Sequence, residues 1–315
     1  MFDMNEKEIM QRVFKLAEKA RSRTSPNPMV GAILVKNGKI VGQGYHQKAG
    51  KPHAEILAIR QAGKHSINGT LYVNLEPCCH FGKTPPCTDA IIRAGIRRVV
   101  YSVNDPNPLV NGKGAKALLQ AGVEVRASLL DKEATRLNEA YFKFMKTGKP
   151  LIVLKIEQTL DGKELDHRSI RRIWYNLSRQ KNQSNDIPVA DALIADSRVS
   201  FLLAHKKENH QSLIKSVSTW KAGVNTRGDA LAVLKQLTQK GVLSVMMDGN
   251  GKISAQFLKY GLVDKVYAFV SFEIGGSRST FDTDLGIDRI SDALKLSDVR
   301  YQTLSGGLLV SGYLN

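Results

Sequence analysis

The residues best equipped for chemistry are His53, Cys78 and Cys87, with Glu55 two positions beyond the histidine. One imidazole and two thiolates form a three-ligand set and leave a fourth position open. That open position separates a catalytic zinc site from a closed structural one. Zinc in such a site lowers the pKa of a bound water to ~7. In His53-Ala54-Glu55, on the first turn of a helix, the carboxylate reaches that water without ligating the metal, as a proton shuttle must. Pro77 before Cys78 predicts a helix start whose N-terminal amides favour the Cys78 thiolate. Two blander readings stand beside this one. The thiols are unrelated and buried, or the zinc is structural with Cys79 or His80 as fourth ligand. The first makes the order, the glutamate and the proline a coincidence. The second lacks the paired C-x₂₋₄-C spacing usual in such sites. Cys79 is expected to point elsewhere.

These residues need a frame to hold them. Apolar positions at Ile9, Val13, Leu16, Ala17 and Ala20 predict a helix over 5–22. Val30–Val35 and Lys39–Tyr45 read as strands joined by a turn at Asn37-Gly38. The pattern then gives a helix at His53–Ala62, a strand at Thr70–Leu75 and a helix at Thr88–Ala94. A strand at Arg98–Val103, a helix at Ala115–Ala121 and a strand at Val123–Arg126 follow, then a last helix over 131–146. Thr147-Gly148-Lys149-Pro150 stops it and forms a linker, so the expected domains are 1–147 and 148–315. In the second domain, strands are expected at Leu151–Ile156, Asp191–Ala195, Val242–Met247, Lys265–Ser271 and Leu308–Tyr313, with helices at Ala230–Lys240 and Ser254–Tyr260. Alternating strands and helices argue for sheets covered by helices, an α/β protein. Residues 163–190 and 197–228 carry no readable pattern.

The chain has 315 residues, 42% hydrophobic and 24% charged, which excludes a disordered or fibrous protein. Its apolar runs are strand-sized and fall short of the ~18–20 residues of a membrane span. The first residues lack a basic-then-apolar leader pattern. Three cysteines are too few for a disulfide scaffold, so a cytoplasmic protein using thiols for metal or chemistry is expected. The net charge of +17 suits an anionic small substrate. Nucleic acid is not expected as a partner, because no basic run is interleaved with aromatics.

H-x-E followed by P-C-x-x-C is the zinc deaminase signature. Here the second half is stretched, with Cys79–Pro86 between the thiols. Residues 8–146 resemble the deaminase domain of the bifunctional riboflavin-biosynthesis deaminase/reductase family. The resemblance rests on Pro26-Asn27-Pro28, Val30-Gly31, Gly44-Tyr45-His46 and His53-Ala54-Glu55, the whole of Leu75–Cys87, and Asp105-Pro106-Asn107-Pro108 with Gly112-Lys113-Gly114. It implies a cytidine-deaminase-like three-layer α/β/α domain followed by a dihydrofolate-reductase-like α/β domain. It also implies a substrate, a diaminopyrimidinone carrying a ribosylamino 5-phosphate. Activated water attacks the ring carbon bearing the amino group, Glu55 carries the proton, and ammonia leaves. By position, Asn27, His46 and His80 hold the pyrimidine and ribose, Lys83 and Thr84 face the phosphate, and Asp105 and Asn107 add contacts. A dianionic phosphate suits a lysine, and Gly82 and Gly112 permit close approach.

Residues 150–315 resemble the same family's reductase domain, which uses NADPH, through Leu154-Lys155, Thr159-Leu160-Asp161-Gly162-Lys163, Asp191-Ala192-Leu193-Ile194 and Gly261-Leu262-Val263-Asp264. Elsewhere it departs from the pattern. Asp196, Val199, Leu203 and His205 occupy positions where the family shows Gly, Thr and Asp-Pro. Asp248-Gly249-Asn250 replaces a Glu-Gly-Gly turn, and Lys181–Asp186 replaces a His and an Arg. An acidic side chain near a pyrophosphate path and a lost guanidinium both oppose phosphate binding. The substitutions predict a reductase lost or altered. Lys155, Asp161 and Gly249 are left to hold a cofactor, and NADPH binding stays open. A homo-oligomer through this domain is expected. The alternatives are a fully bifunctional enzyme, a deaminase for nucleic-acid bases, and a non-catalytic zinc-stabilised scaffold. The stretched loop opposes the nucleic-acid reading, and Glu55 opposes the scaffold.

Overall fold

The computed structural model describes residues 5–21, 23–81, 85–163, 165, 190–195, 198–202, 216–221, 224–249, 252–275, 285, 289–304 and 306–314. They form two compact units, Met1–Gly148 and Lys149–Asn315.

The first unit runs α1 (Glu6–Glu18), β1 (Gly31–Lys36), β2 (Lys39–Tyr45), α2 (Ala54–Ala62), β3 (Thr70–Val73), α3 (Cys87–Arg93), β4 (Arg98–Tyr101), α4 (Lys113–Gln120), β5 (Glu124–Arg126), α5 (Asp131–Leu137) and α6 (Glu139–Thr147). Its sheet has the order β2-β1-β3-β4-β5. The hairpin and the β1–β3 pair are antiparallel, and β3–β4 and β4–β5 are parallel. Asn37 and Gly38 both take positive φ, which a tight hairpin turn of this twist requires.

Strand alternation puts helices on both faces. Ile33, Tyr72 and Val100 meet Ile9, Met10, Val13 and Leu16 of α1 on one side. On the other side α2 lies on β2. A Cβ at Gly42 would stand 2.1 Å from the Ala58 carbonyl, and one at Gly44 would stand 2.5 Å from Leu57 Cβ. These glycines let α2 sit directly on the strand, and α2 carries the chemistry at its N-terminus.

The expected helix over 131–146 is two helices, broken at Asn138. Asn138 leaves helical geometry because its side chain binds a distant peptide. Its Oδ1 accepts from Met29 N at 2.8 Å and its Nδ2 donates to Met29 O at 2.9 Å. Asn74, just past β3, donates to the same Met29 carbonyl at 3.0 Å and accepts from Gly31 N at 2.8 Å. The Asn27–Met29 segment is thereby fixed from two sides.

The second unit runs β6 (Leu151–Thr159), β7 (Ala192–Ala195), β8 (Arg198–Leu202), β9 (Ser216–Lys221), α7 (Arg227–Gln239), β10 (Ser244–Asp248), α8 (Lys252–Lys259), β11 (Lys265–Ser271), β12 (Leu296–Leu304) and β13 (Gly307–Leu314). The sheet order is β12-β13-β11-β6-β10-β7-β8-β9, with β11, β6, β10 and β7 parallel. Ile152, Leu154, Val245, Met247 and Val266 pack on Val233, Leu234 and Leu237 of α7 and Phe257 of α8. Two carboxylates set the strand register. Asp191 Oδ2 accepts from Leu243 N and Ser244 N at 2.9 and 3.1 Å, and Asp264 Oδ2 from Ile152 N at 2.6 Å. The Asp191-Ala192 pair seen in the sequence is thus a strand clamp. Strands β8, β9 and β12 were not legible from the pattern. No helix among the described residues is long and apolar enough to cross a membrane.

Candidate active site

His53 is the N-cap of α2, and its extended backbone turns the ring off the helix axis. Cys78 lies in the loop after β3, and Cys87 begins α3 behind Pro86. One ligand atom of each lies within 4.8 Å of the others, and the group contains no further His, Cys, Asp or Glu among the described residues. His53 Nδ1 stands 3.2 Å from Cys87 Sγ and 3.6 Å from Cys78 Sγ. Three donors on a tetrahedron with Zn–S of about 2.3 Å are separated by roughly this much. The donor set therefore fits zinc, and it has the open position. Neither Cys79 nor His80 joins it. Cys79 Sγ donates to Leu109 O at 3.7 Å, away from the cluster.

One expectation needs correction. Pro77-Cys78 does not open a helix; it lies in a loop, and the helix begins at Cys87. The thiolate still receives a helix-terminal amide, since Cys87 N donates to Cys78 Sγ at 3.3 Å. The loop lets Cys78 and the start of α3 face each other. The bond from the Cys87 thiol, helped by His53 and that amide, pulls the Cys78 thiol well below its usual range. Its partner Cys87 is pushed up, by the bond to Cys78 first and burial second. His53 rises to about 9, chiefly through its bond to Cys78.

Glu55, in the first turn of α2, is only 4% exposed. Its Oε2 is buried without a hydrogen-bond partner. Burial raises its pKa. A carboxylate oxygen hidden from water and unbonded is costly unless a ligand completes it.

Of the expected contacts, His46 and Asn27 lie beside this centre. His46, at the end of the hairpin, is buried, and its ring meets that of His53 edge-on with centroids 5.3 Å apart. Its Nδ1 faces the Pro52 carbonyl at 3.2 Å, so Nδ1 carries the proton. Nε2 then accepts from the Asn27 amide at 3.1 Å. Burial lowers the His46 pKa and so favours the neutral ring. His80 has a buried Nδ1 without a partner. Asp105 Oδ1 accepts from Asn107 N and from the Tyr141 hydroxyl, both at 2.9 Å, and burial raises the Asp105 pKa. Asn107 Oδ1 accepts from Leu109 N at 3.0 Å, so here it also serves as a turn former. Gly82, Lys83 and Thr84 lie outside the described residues.

Sequence reasoning overlooked Glu76, Asn74, Asn138 and Tyr141, all of which hold the site's loops. Glu76 stood directly before Pro77-Cys78, the one available signal. In the second unit, Lys155 pairs with the buried Glu157 at 2.9 Å. Asp161 Oδ1 accepts from Gly275 N at 3.1 Å and from the Thr159 hydroxyl. The Gly249 amide donates to Lys155 O at 2.7 Å, so this glycine serves close strand packing rather than presenting its N–H to a ligand. Asp196, Leu203, His205, Asn250 and Lys181–Asp186 lie outside the described residues, as does the side chain of Val199.

Comparison with known proteins now identifies both halves. Residues 4–103 match the cytidine and deoxycytidylate deaminase zinc-binding region, and residues 177–310 match the RibD C-terminal domain. The riboflavin biosynthesis protein RibD of Aquifex aeolicus is 35% identical over 351 residues, covering 97% of this chain and 97% of its own. The protein of that name from Escherichia coli is 52% identical over 160 residues, covering 51% of this chain and 44% of its own. Among solved structures, Acinetobacter baumannii RibD aligns at TM-score 0.78 and 27% identity, covering 98% of each chain. A diaminohydroxyphosphoribosylaminopyrimidine deaminase/5-amino-6-(5-phosphoribosylamino)uracil reductase from Thermotoga maritima aligns at 0.75 and 28%, again over 98% of each. These matches give a cytidine-deaminase-like domain followed by a dihydrofolate-reductase-like one. They also correct the expectation of a lost reductase. The reductase domain is present along 177–310, its family implies NADPH, and the fully bifunctional reading fits better. The expectation of a lost or altered reductase rested largely on positions within 163–190 and 197–228, where the sequence carries no periodic pattern to fix an alignment. With relatives matching end to end and a His-Cys-Cys zinc site in its first unit, the chain belongs to the RibD family of bifunctional deaminase/reductases.

Proposed function

We propose that the chain performs two successive steps: hydrolytic deamination of the diaminopyrimidinone ribosylamino 5-phosphate, then NADPH-dependent reduction of the product's ribosyl group. The observation that carries the first step is the buried, unpartnered Glu55 Oε2 beside the open His53, Cys78 and Cys87 set. Zinc, when bound there, supplies Lewis-acid activation of water at neutral pH. Glu55 takes a proton from that water as its oxygen bonds to the ring carbon. It returns the proton to nitrogen as the C–N bond breaks, and ammonia leaves. Asn27, oriented by neutral His46, and His80 hold the ring and ribose. Asp105 and Asn107 line the rest, and Lys83 with Thr84 meets the phosphate.

For the second step, β6, β10 and β11 are parallel, and ligands of open α/β sheets bind at the carboxyl ends of such strands. Thr159, Asp161 and Gly275 meet at that end, and Lys155, paired with Glu157, lies four residues earlier on β6. They would hold NADPH, which when bound supplies the hydride. A cytoplasmic location and a homo-oligomer formed through the second unit are part of this proposal. The absence of any disulfide among the three cysteines and the outermost, largely exposed strand β12 support them.

Both half-reactions test it. The purified chain is expected to release ammonia from the substrate, and to oxidise NADPH only with the deaminated product. No ammonia would sink the deaminase substrate. Ammonia without NADPH oxidation would restore the reading of a lost reductase.

Lys83→Ala is expected to raise KM for the phosphorylated substrate about tenfold or more, the scale of a lost charge-assisted bond, while zinc content is unchanged. A wild-type KM would place Lys83 in solvent.

A further inference from the structure

Glu76 is a buried carboxylate, 3% exposed, that the chemistry above does not use. It stands between the end of β3 and the metal ligand Cys78. Its two oxygens accept three backbone amides from one distant segment. Oε2 accepts from Gly112 N at 2.9 Å and Asp105 N at 3.3 Å, and Oε1 from Ala115 N at 3.1 Å. Helix α4 has Gly112 as its N-cap and no side-chain cap of its own. Glu76 serves in that place, reaching across from another strand. Gly114 shows how close the two segments run: a Cβ there would stand 2.1 Å from the Pro77 carbonyl.

We propose that Glu76 is a positioning residue of the deaminase site, holding the 105–115 segment against the loop that carries Cys78. Through its amide, Asp105 is tied to the residue two before a zinc ligand. Through its carboxylate, it is tied to Asn107 and Tyr141. One buried carboxylate thus sets the distance between the metal ligands and the substrate contacts at Asp105 and Asn107. Only a carboxylate fits, because three N–H donors converge and each oxygen must accept. Glutamine would turn an N–H₂ toward at least one of them. This inference rests on the proposed substrate contacts of that loop.

The test uses the full chain loaded with zinc. Glu76→Gln is expected to keep one zinc per chain and kcat within about twofold, and to raise KM for the ribosylamino-pyrimidine phosphate about tenfold. Hydrogen exchange at the Asp105, Gly112 and Ala115 amides is expected to accelerate, which reads the loop without any substrate. Unchanged exchange overturns the proposal, and so does faster exchange with a wild-type KM. If the variant does not fold, Gly114→Ala decides, because its Cβ pushes the same segments apart. A raised KM with retained zinc supports the proposal, and a wild-type KM overturns it. A wild-type chain that releases no ammonia sinks the substrate reading alone, and the exchange measurement then decides for Glu76.

Discussion

Glu55→Gln is expected to keep its zinc and its fold while deamination falls about 10²–10⁴-fold, the contribution of a positioned general acid–base group. The amide is nearly isosteric, so the packing of α2 on Gly42 and Gly44 does not change. What is lost is the ability to take and return a proton. Burial, which raises the Glu55 pKa, matters here in a stated direction. A carboxylate more basic than usual is a better acceptor from water and still an acid toward the leaving nitrogen. Steady-state ammonia release and metal analysis on the same sample check this. Turnover at the wild-type rate would reduce Glu55 to a helix-start acid.

Loss of a ligand is expected to act at a different level. Cys87→Ser and Cys78→Ser remove a thiolate from a three-ligand set, and both variants are expected to lose zinc and fall to background deamination. Cys79→Ser, its sulfur turned to the Leu109 carbonyl, is expected to keep zinc and full activity. The three cysteines thus divide two to one. Full zinc occupancy and activity after losing Cys87 would break the assignment. NADPH oxidation with the deaminated product is expected to survive in all three variants, since the reductase domain lies in the second unit. Its survival separates metal loss from general unfolding.

The deaminase centre was legible because its chemistry is written in short, ordered pieces. His53 and Glu55 share one helical turn, and Pro77-Cys78 and Cys87 flank one loop. The framework was legible where burial imposes a period, as in α1 and β1. It was not legible where side-chain bonds override the pattern. Asn138 interrupts a helical run because it serves Met29, a residue distant in sequence. Glu76 reads as part of a motif, and only the fold reveals the three amides it meets. The β12 strand, outermost in its sheet and largely exposed, carries too little alternation to announce itself. In the second unit Gly249 looks functional in the sequence, yet its amide bonds the neighbouring strand, and Asp191, part of the resemblance, clamps strands in the same way. Short polar motifs do not say whether they face a ligand or a backbone.

The double hold on Met29 limits where this chain tolerates being cut. Asn74 and Asn138 grip the same peptide, and that peptide follows Asn27 and Pro28. A fragment ending soon after β5 would contain every zinc ligand and Glu55, yet it would lack one of the two grips. It would also lack Tyr141, the partner of Asp105. Such a fragment is expected to bind metal with the loops around Met29 and Asp105 slack. The smallest portion that keeps both the metal and its surrounding loops in place extends through α6, so the final two helices of the first unit act as its latch.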